Sequence, residues 1–134
     1  MINLVFTNCP DLCPRMSGHF KELYDHYSAS DMVHFLSVSV DPDRDTPEVL
    51  REYAEAFEVV DDRWRFLLGD IQDVRTFSEK GLLFPAEGFP EAHSIKFALV
   101  DPHGRIRGYY NGMLGDDVKR LQRDLEALAQ YNNP

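Results

Sequence analysis

Apolar and polar positions along this chain follow two kinds of pattern, which take turns from one segment to the next. Short apolar or alternating runs are typical of β-strands, and longer segments with an apolar residue every three or four positions are typical of helices. The predicted strands are Ile2–Phe6, Val33–Val40, Trp64–Leu68, Ile95–Val100 and Ile106–Tyr110. The predicted helices begin at about Pro14, Pro47, Ile71 and Asp116. Strands that alternate with helices and end in a hairpin and a helix predict an α/β fold with a mixed sheet.

Capping residues sharpen two of the helix predictions. Thr46 is a good N-cap because Pro47 follows it at the first helical position. Asp70 is predicted to cap the next helix, which would turn Phe77 inward and end at Gly81. His34 is predicted to lie inside the second strand.

Composition limits the classes of function. A chain of 134 residues suits one domain, 1–134. The formal net charge of -9 argues against a nucleic-acid partner, because phosphates are neutralised by basic patches. No apolar run reaches the roughly 18 residues of a membrane span and no signal-peptide pattern is present, so no membrane insertion by this chain is expected.

The two cysteines carry the candidate chemistry. Cys9 and Cys13 are the only cysteines, spaced as C-x-x-x-C. The apolar run before them and the helical pattern after them predict that they lie between the first strand and the first helix, with Pro14 in its first turn. The positive end of a helix dipole favours a thiolate there. Two thiolates can form a disulfide or hold a soft metal ion such as Cu(I) or zinc. A purely structural disulfide would close a very small loop and add little stability.

Three motifs in this order resemble the Sco family, the SenC-type copper chaperones of cytochrome oxidase assembly. They are Thr7-Asn8-Cys9-Pro10-Asp11-Leu12-Cys13-Pro14, then Ser39-Val40-Asp41-Pro42-Asp43-Arg44-Asp45-Thr46, and then His93-Ser94 with the later Asp101-Pro102-His103-Gly104. The resemblance implies a thioredoxin-like mixed sheet flanked by helices. The sequence departs from the family at two points: Met1 nearly begins the first strand, so an N-terminally shortened domain is expected, and Ala92 stands where the family often has Asp.

The resemblance further implies a site and a role. Cys9, Cys13 and His93 would be copper ligands, with His93 on the loop that enters the hairpin, and zinc could substitute. The thiols would also cycle between dithiol and disulfide. Copper would pass to the CuA site of the cytochrome oxidase copper subunit, or to another copper or thiol protein. The implied location is periplasmic or membrane-associated, and an uncovered sheet edge could support a dimer.

Three other functions compete with this interpretation. A thiol–disulfide oxidoreductase would use Cys9 as the nucleophile that reduces partner cysteines. A peroxiredoxin-type enzyme is disfavoured because Thr7 lies two residues before Cys9, where that chemistry usually has a Thr-x-x-Cys arrangement. A pure interaction module would leave the three motifs unexplained.

The remaining candidate ligands are predicted to have ordinary roles. His19, His26, His34 and His103 are expected at the surface or its boundary, and Met16 and Met113 in the core. A calcium loop beginning at Asp41 is rejected because Thr46 replaces the required glycine. Asp41 could influence the pKa of the thiols or the docking of a partner. Alternatively, Asp41, Asp43 and Asp45 simply cap a turn and a helix.

Overall fold

The computed structural model describes residues 1–8, 12–27, 32–90 and 93–131, without the side chains of 12, 13 and 129–131. The strands are β1 (Ile2–Val5), β2 (Phe35–Ser39), β3 (Trp64–Leu67), β4 (Lys96–Val100) and β5 (Ile106–Asn111). The α-helices are α1 (Leu12–His26), α2 (Pro47–Ala56), α3 (Ile71–Thr76) and α4 (Gly115–Tyr131), and a π-helix (Phe77–Leu82) follows α3. The predicted strands and α-helices are therefore confirmed, with small shifts at their ends except at the end of α3.

The strands form one mixed sheet in the order β3-β2-β1-β4-β5. Strands β1, β2 and β3 are parallel, whereas β4 runs antiparallel to β1, with Ile2 opposite Ala98, and β5 runs antiparallel to β4. The carboxyl ends of β1, β2 and β3 therefore lie at the same end of the sheet as the start of β4. Residues that follow β1 and residues that precede β4 meet at this end.

Apolar side chains cover both faces of the sheet, as expected when helices pack on both sides. One cluster joins α1 and α4 to the sheet and includes Met16, Phe20, Phe35, Trp64, Phe97 and Leu121. The other lies on the opposite face and includes Leu4, Phe6, Val38, Val74, Leu82 and Phe84. Among the described residues, none of the helices combines the length and apolar character that a membrane span requires.

The helix predicted to run to Gly81 is different in the structure. Helix α3 ends at Thr76, and the chain continues as the π-helix to Leu82. The wider turn changes which side chains face inward, so Ser78 and Leu82 are buried while Phe77 is 39% exposed. The prediction that Phe77 points into the core is therefore wrong. His34 likewise lies just before β2 and is exposed, not within the strand.

Candidate metal centre

The segment that follows β1 leads directly to the first predicted ligand. Phe6, Thr7 and Asn8 are described, and Cys9 lies outside the described residues. Helix α1 begins at Leu12, so the backbone of Cys13 belongs to its first turn. The side chain of Cys13 is not described. The prediction that both cysteines precede the helix is therefore wrong for Cys13. Pro14 is in the first helical turn as expected, where the missing N–H has no partner to lose.

His93 is the third predicted ligand, and the fold places it beside the end of β1. It precedes β4, is half-buried, and packs against the ring of Phe6. The two ring centroids are 5.5 Å apart and the planes lie at 87°, an edge-to-face contact. Phe6 is only 5% exposed, so it forms a fixed wall for the imidazole. The sheet order thus brings His93 next to the segment that leads to Cys9.

The hydrogen bond of His93 selects one form of the imidazole. Its Nδ1 lies 2.9 Å from the carbonyl oxygen of Ser94, and a carbonyl oxygen only accepts. Nδ1 therefore carries the proton and Nε2 carries the lone pair, which is the form that can bind a metal ion. Burial lowers the pKa of His93 below its usual value, so the ring is neutral near pH 7.

A buried carboxylate, that of Asp45, ties the segment after β1 to the loop after β2. Asp45 is fully buried and accepts hydrogen bonds from the Thr7 hydroxyl, from the Thr7 N–H at 3.3 Å to each oxygen, and from the Ser39 hydroxyl at 2.7 Å. The motif match contained all three residues but gave no sign that Thr7 and Asp45 pair. The one available sign is that the parallel strands β1 and β2 end side by side, which brings Thr7 close to the loop that contains Asp45.

Asp41, which the sequence left between two roles, lies in the turn after β2. Its N–H donates to Ser39 Oγ at 3.2 Å, and its carbonyl oxygen accepts from the N–H groups of Arg44 and Asp45. The Arg44 guanidinium is 3.7 Å from its carboxylate. These contacts fit the interpretation that Asp41 stabilises a turn.

The other histidines and methionines have structural or surface surroundings. His19 Nδ1 lies 2.6 Å from the Gly112 carbonyl oxygen, His26 lies 3.7 Å from a Glu126 carboxylate oxygen, and His103 lies in the turn between β4 and β5. Met16 is fully buried and Met113 packs at the edge of the same core cluster. The prediction that both methionines serve packing is confirmed.

The described side chains alone do not make a metal site. Among them, no group of three or more His, Cys, Asp or Glu residues is arranged to hold a metal ion. The predicted set joins His93 to two cysteines whose side chains are outside the description, so the three-ligand site stays a prediction. What the structure supplies is a neutral His93 imidazole, packed against Phe6 at the end of the sheet where β1 leads on to Cys9.

Several solved structures with this architecture are Sco proteins. A SCO1/SenC family lipoprotein from Bacillus anthracis superposes with a TM-score of 0.85 at 30% identity, covering 96% of this chain and 79% of that one. BsSco, described as a member of the Sco family of cytochrome c oxidase assembly proteins with a disulfide switch, gives 0.81 at 29% identity, covering 96% and 78%. Yeast Sco1 with copper bound gives 0.66 at 26% identity, covering 93% and 74%. These similarities confirm the thioredoxin-like fold predicted from the motifs.

Sequence comparison leads to the same family. The SCO1 protein homolog of Bacillus subtilis is 33% identical over 135 residues, a match that covers 96% of this chain and 70% of that protein. Several other curated relatives are longer still, and this chain spans 62% to 64% of three of them. The family model described as SCO1/SenC matches residues 1–130. The chain is therefore a member of the SCO1/SenC family.

Proposed function

We propose that this protein is a copper chaperone that binds one copper ion through Cys9, Cys13 and His93 and delivers it to a cytochrome oxidase during assembly. The observation that carries the proposal is the His93 imidazole, neutral and with its lone pair on Nε2, packed on Phe6 at the entrance to the cysteine segment. Copper is the cargo of this activity, and the protein's part is to hold it and release it.

The donor set suits Cu(I). Two thiolates and one neutral imidazole are soft or borderline ligands, and three of them satisfy a trigonal Cu(I) site. The same donors with a water molecule would accept zinc in a tetrahedral arrangement, so zinc is a competitor in any binding assay. A carboxylate-rich site would favour hard cations instead, and the acidic residues nearby, Asp41 and Asp45, are engaged in the turn after β2.

The relatives support the role and its redox side. Yeast Sco1 has been solved with copper bound, and BsSco is described both as an oxidase assembly protein and as having a disulfide switch. We extend this to Cys9 and Cys13: the dithiol binds copper, and exchange with a disulfide of another molecule, which takes up the two electrons and two protons to become two thiols, converts it to a disulfide that does not. The proposed recipient is the CuA-bearing oxidase subunit or another copper or thiol protein.

Location and assembly are part of the same proposal. One relative is described as a lipoprotein, which supports a membrane-associated or periplasmic setting for this chain. Strands β3 and β5 form the two edges of the sheet, so a dimer would pair one of them with a second copy. Sedimentation of the pure protein over a range of concentrations tests the dimer directly.

An anaerobic Cu(I) titration against a competing chelator tests the copper site. We expect one tightly bound equivalent per chain in the reduced protein. Replacing His93 with alanine should weaken Cu(I) binding by at least about 100-fold. Mutation of a residue that only hydrogen-bonds to a metal ligand already lowers metal affinity by about 10–100-fold, and loss of a ligand should cost more. His103→Ala is the matched control, because His103 lies in the turn between β4 and β5, beyond the far end of β4, and should bind as wild type.

The same variant separates the chaperone from a thiol–disulfide reductase. Exchange with a small disulfide needs only the two thiols, so His93→Ala should retain it while losing copper. Wild-type Cu(I) affinity in His93→Ala would overturn the three-ligand site. Failure of the wild-type protein to compete for Cu(I), with normal thiol exchange, would assign the protein to the oxidoreductases.

A further inference from the structure

The carboxylate of Asp45 is the part of the second motif that copper binding leaves unexplained. It is fully buried, and both of its oxygens accept hydrogen bonds from Thr7, while Ser39 donates to one of them. A carboxylate removed from water in this way is retained only when donors surround it. Of the three donor groups that the described residues supply, two, the hydroxyl and the N–H, belong to Thr7.

The backbone of Asp45 is itself held on the scaffold. Its N–H donates to the Asp41 carbonyl oxygen at 2.8 Å, closing the turn after β2. The next residue, Thr46, caps α2 by accepting from the Val49 N–H at 3.2 Å. Asp45 is therefore fixed between a strand of the sheet and the start of a helix, whereas Thr7 lies in the turn that follows β1.

We propose that Asp45 is a positioning residue that anchors Thr7 and thereby sets where the chain leads on from β1 toward Cys9, raising Cu(I) affinity. This inference rests on the proposed function and identifies a residue outside the ligand set. A ligand pair that is already held near its bound arrangement loses less conformational freedom on binding, which strengthens binding without a new contact. A restraint on Thr7, two residues before Cys9, also leaves less conformational freedom to be lost when Cys9 and Cys13 join, and so favours the disulfide.

Thr7 offers a matched series of variants. Thr7→Val keeps the branched shape and the N–H but removes the hydroxyl that donates to Asp45. Thr7→Ser restores the hydroxyl. Ser37→Ala is the control for stability, since Ser37 is a fully buried serine on β2 that donates to Asn3 Oδ1 at 2.6 Å and accepts from Trp64 Nε1 at 3.1 Å, with no bond to Thr7.

We expect Thr7→Val to bind Cu(I) about tenfold more weakly, a factor worth about 1.4 kcal/mol. Thr7→Ser and Ser37→Ala should stay within about twofold of wild type, although Ser37→Ala unfolds at lower denaturant. Asp45→Asn is the second variant and decides the matter if Thr7→Val does not fold, because an amide offers one acceptor fewer. Wild-type affinity in both Thr7→Val and Asp45→Asn, with stability lowered as in Ser37→Ala, would overturn the inference.

A copper-free measurement keeps this test separate from the proposed function. The thiol–disulfide equilibrium of each variant is measured against glutathione, in which two glutathione thiols are formed for each protein disulfide. Thr7→Val should favour the dithiol by about tenfold, equivalent to about 30 mV, and Ser37→Ala should not. If wild type binds no Cu(I), the proposed function fails, and this shift alone then supports the anchor, or its absence refutes it.

Discussion

The contact between Phe6 and His93 makes a quantitative prediction about how the protein fold supports copper binding. Phe6→Leu keeps a large apolar side chain at a position that is 5% exposed but removes the edge-to-face contact at 5.5 Å. Such an aromatic pair contributes about 0.5–1.5 kcal/mol beyond the area that it buries. We therefore expect the free energy of unfolding to fall by about 1–2 kcal/mol, including imperfect repacking around leucine.

The effect on copper follows from the same contact. If the whole contact, about 1 kcal/mol, serves to hold the imidazole in place, its loss weakens Cu(I) binding by up to about fivefold. Urea denaturation of the reduced, metal-free protein measures the first quantity, and chelator competition measures the second. Both are needed, because a loss of stability alone says nothing about the position of His93.

Phe35→Leu is the matched control for Phe6→Leu. Phe35 is fully buried at the opposite end of the sheet and makes edge-to-face contacts with Phe20 and Tyr24 at 5.5 and 5.9 Å. It should lose at least as much stability as Phe6→Leu while binding Cu(I) as wild type. Equal copper affinity in the two variants would refute the argument that Phe6 positions His93.

Two further predictions concern stability. Gly112→Ala should lower the free energy of unfolding by about 1–3 kcal/mol, since its added Cβ would lie 2.5 Å from a Phe97 ring carbon, whereas Gly115→Ala meets nothing within 4 Å and should not. The Arg105 N–H is the main cause that lowers the pKa of Asp101, so Asp101 stabilises the fold above its usual pKa of about 4 and loses this effect as pH falls through its lowered value. Asp101→Asn should therefore be less stable than wild type at pH 7, and denaturation curves should converge at acidic pH.

The fold was largely predictable because each element carries its own periodic pattern. The five strands and four α-helices follow from the spacing of apolar residues, and Thr46 caps its helix as expected, accepting from Val49. The π-helix was not predictable in this way. The local sequence up to Gly81 looks helical in either case, and the burial of Ser78 and Leu82 that accompanies the π-helix involves packing against residues far along the chain, which local spacing does not report.

The candidate site was predictable only in part. Its three predicted ligands came from family motifs, and the sheet order explains why His93 lies near the segment that leads to Cys9. The pairing of Thr7 with Asp45 had no signal in the sequence, because a spacing pattern reports neighbours along one element and says nothing about a partner on another. The fate of the two thiols stays a prediction, since their side chains lie outside the described residues.

The central place of β1 also bears on when the protein can take up its metal during synthesis. Strand β1 and the two cysteines emerge from the ribosome before the other four strands, and the antiparallel neighbour β4 and His93 emerge only after β3 and α3. Long-range pairing of this kind is slow to form because most of the chain must be collected before the pairing is stabilised. A nascent chain that ends before β4 exposes two thiols without the imidazole. We therefore expect copper loading to follow translation, and unfinished chains to be the form most open to misoxidation.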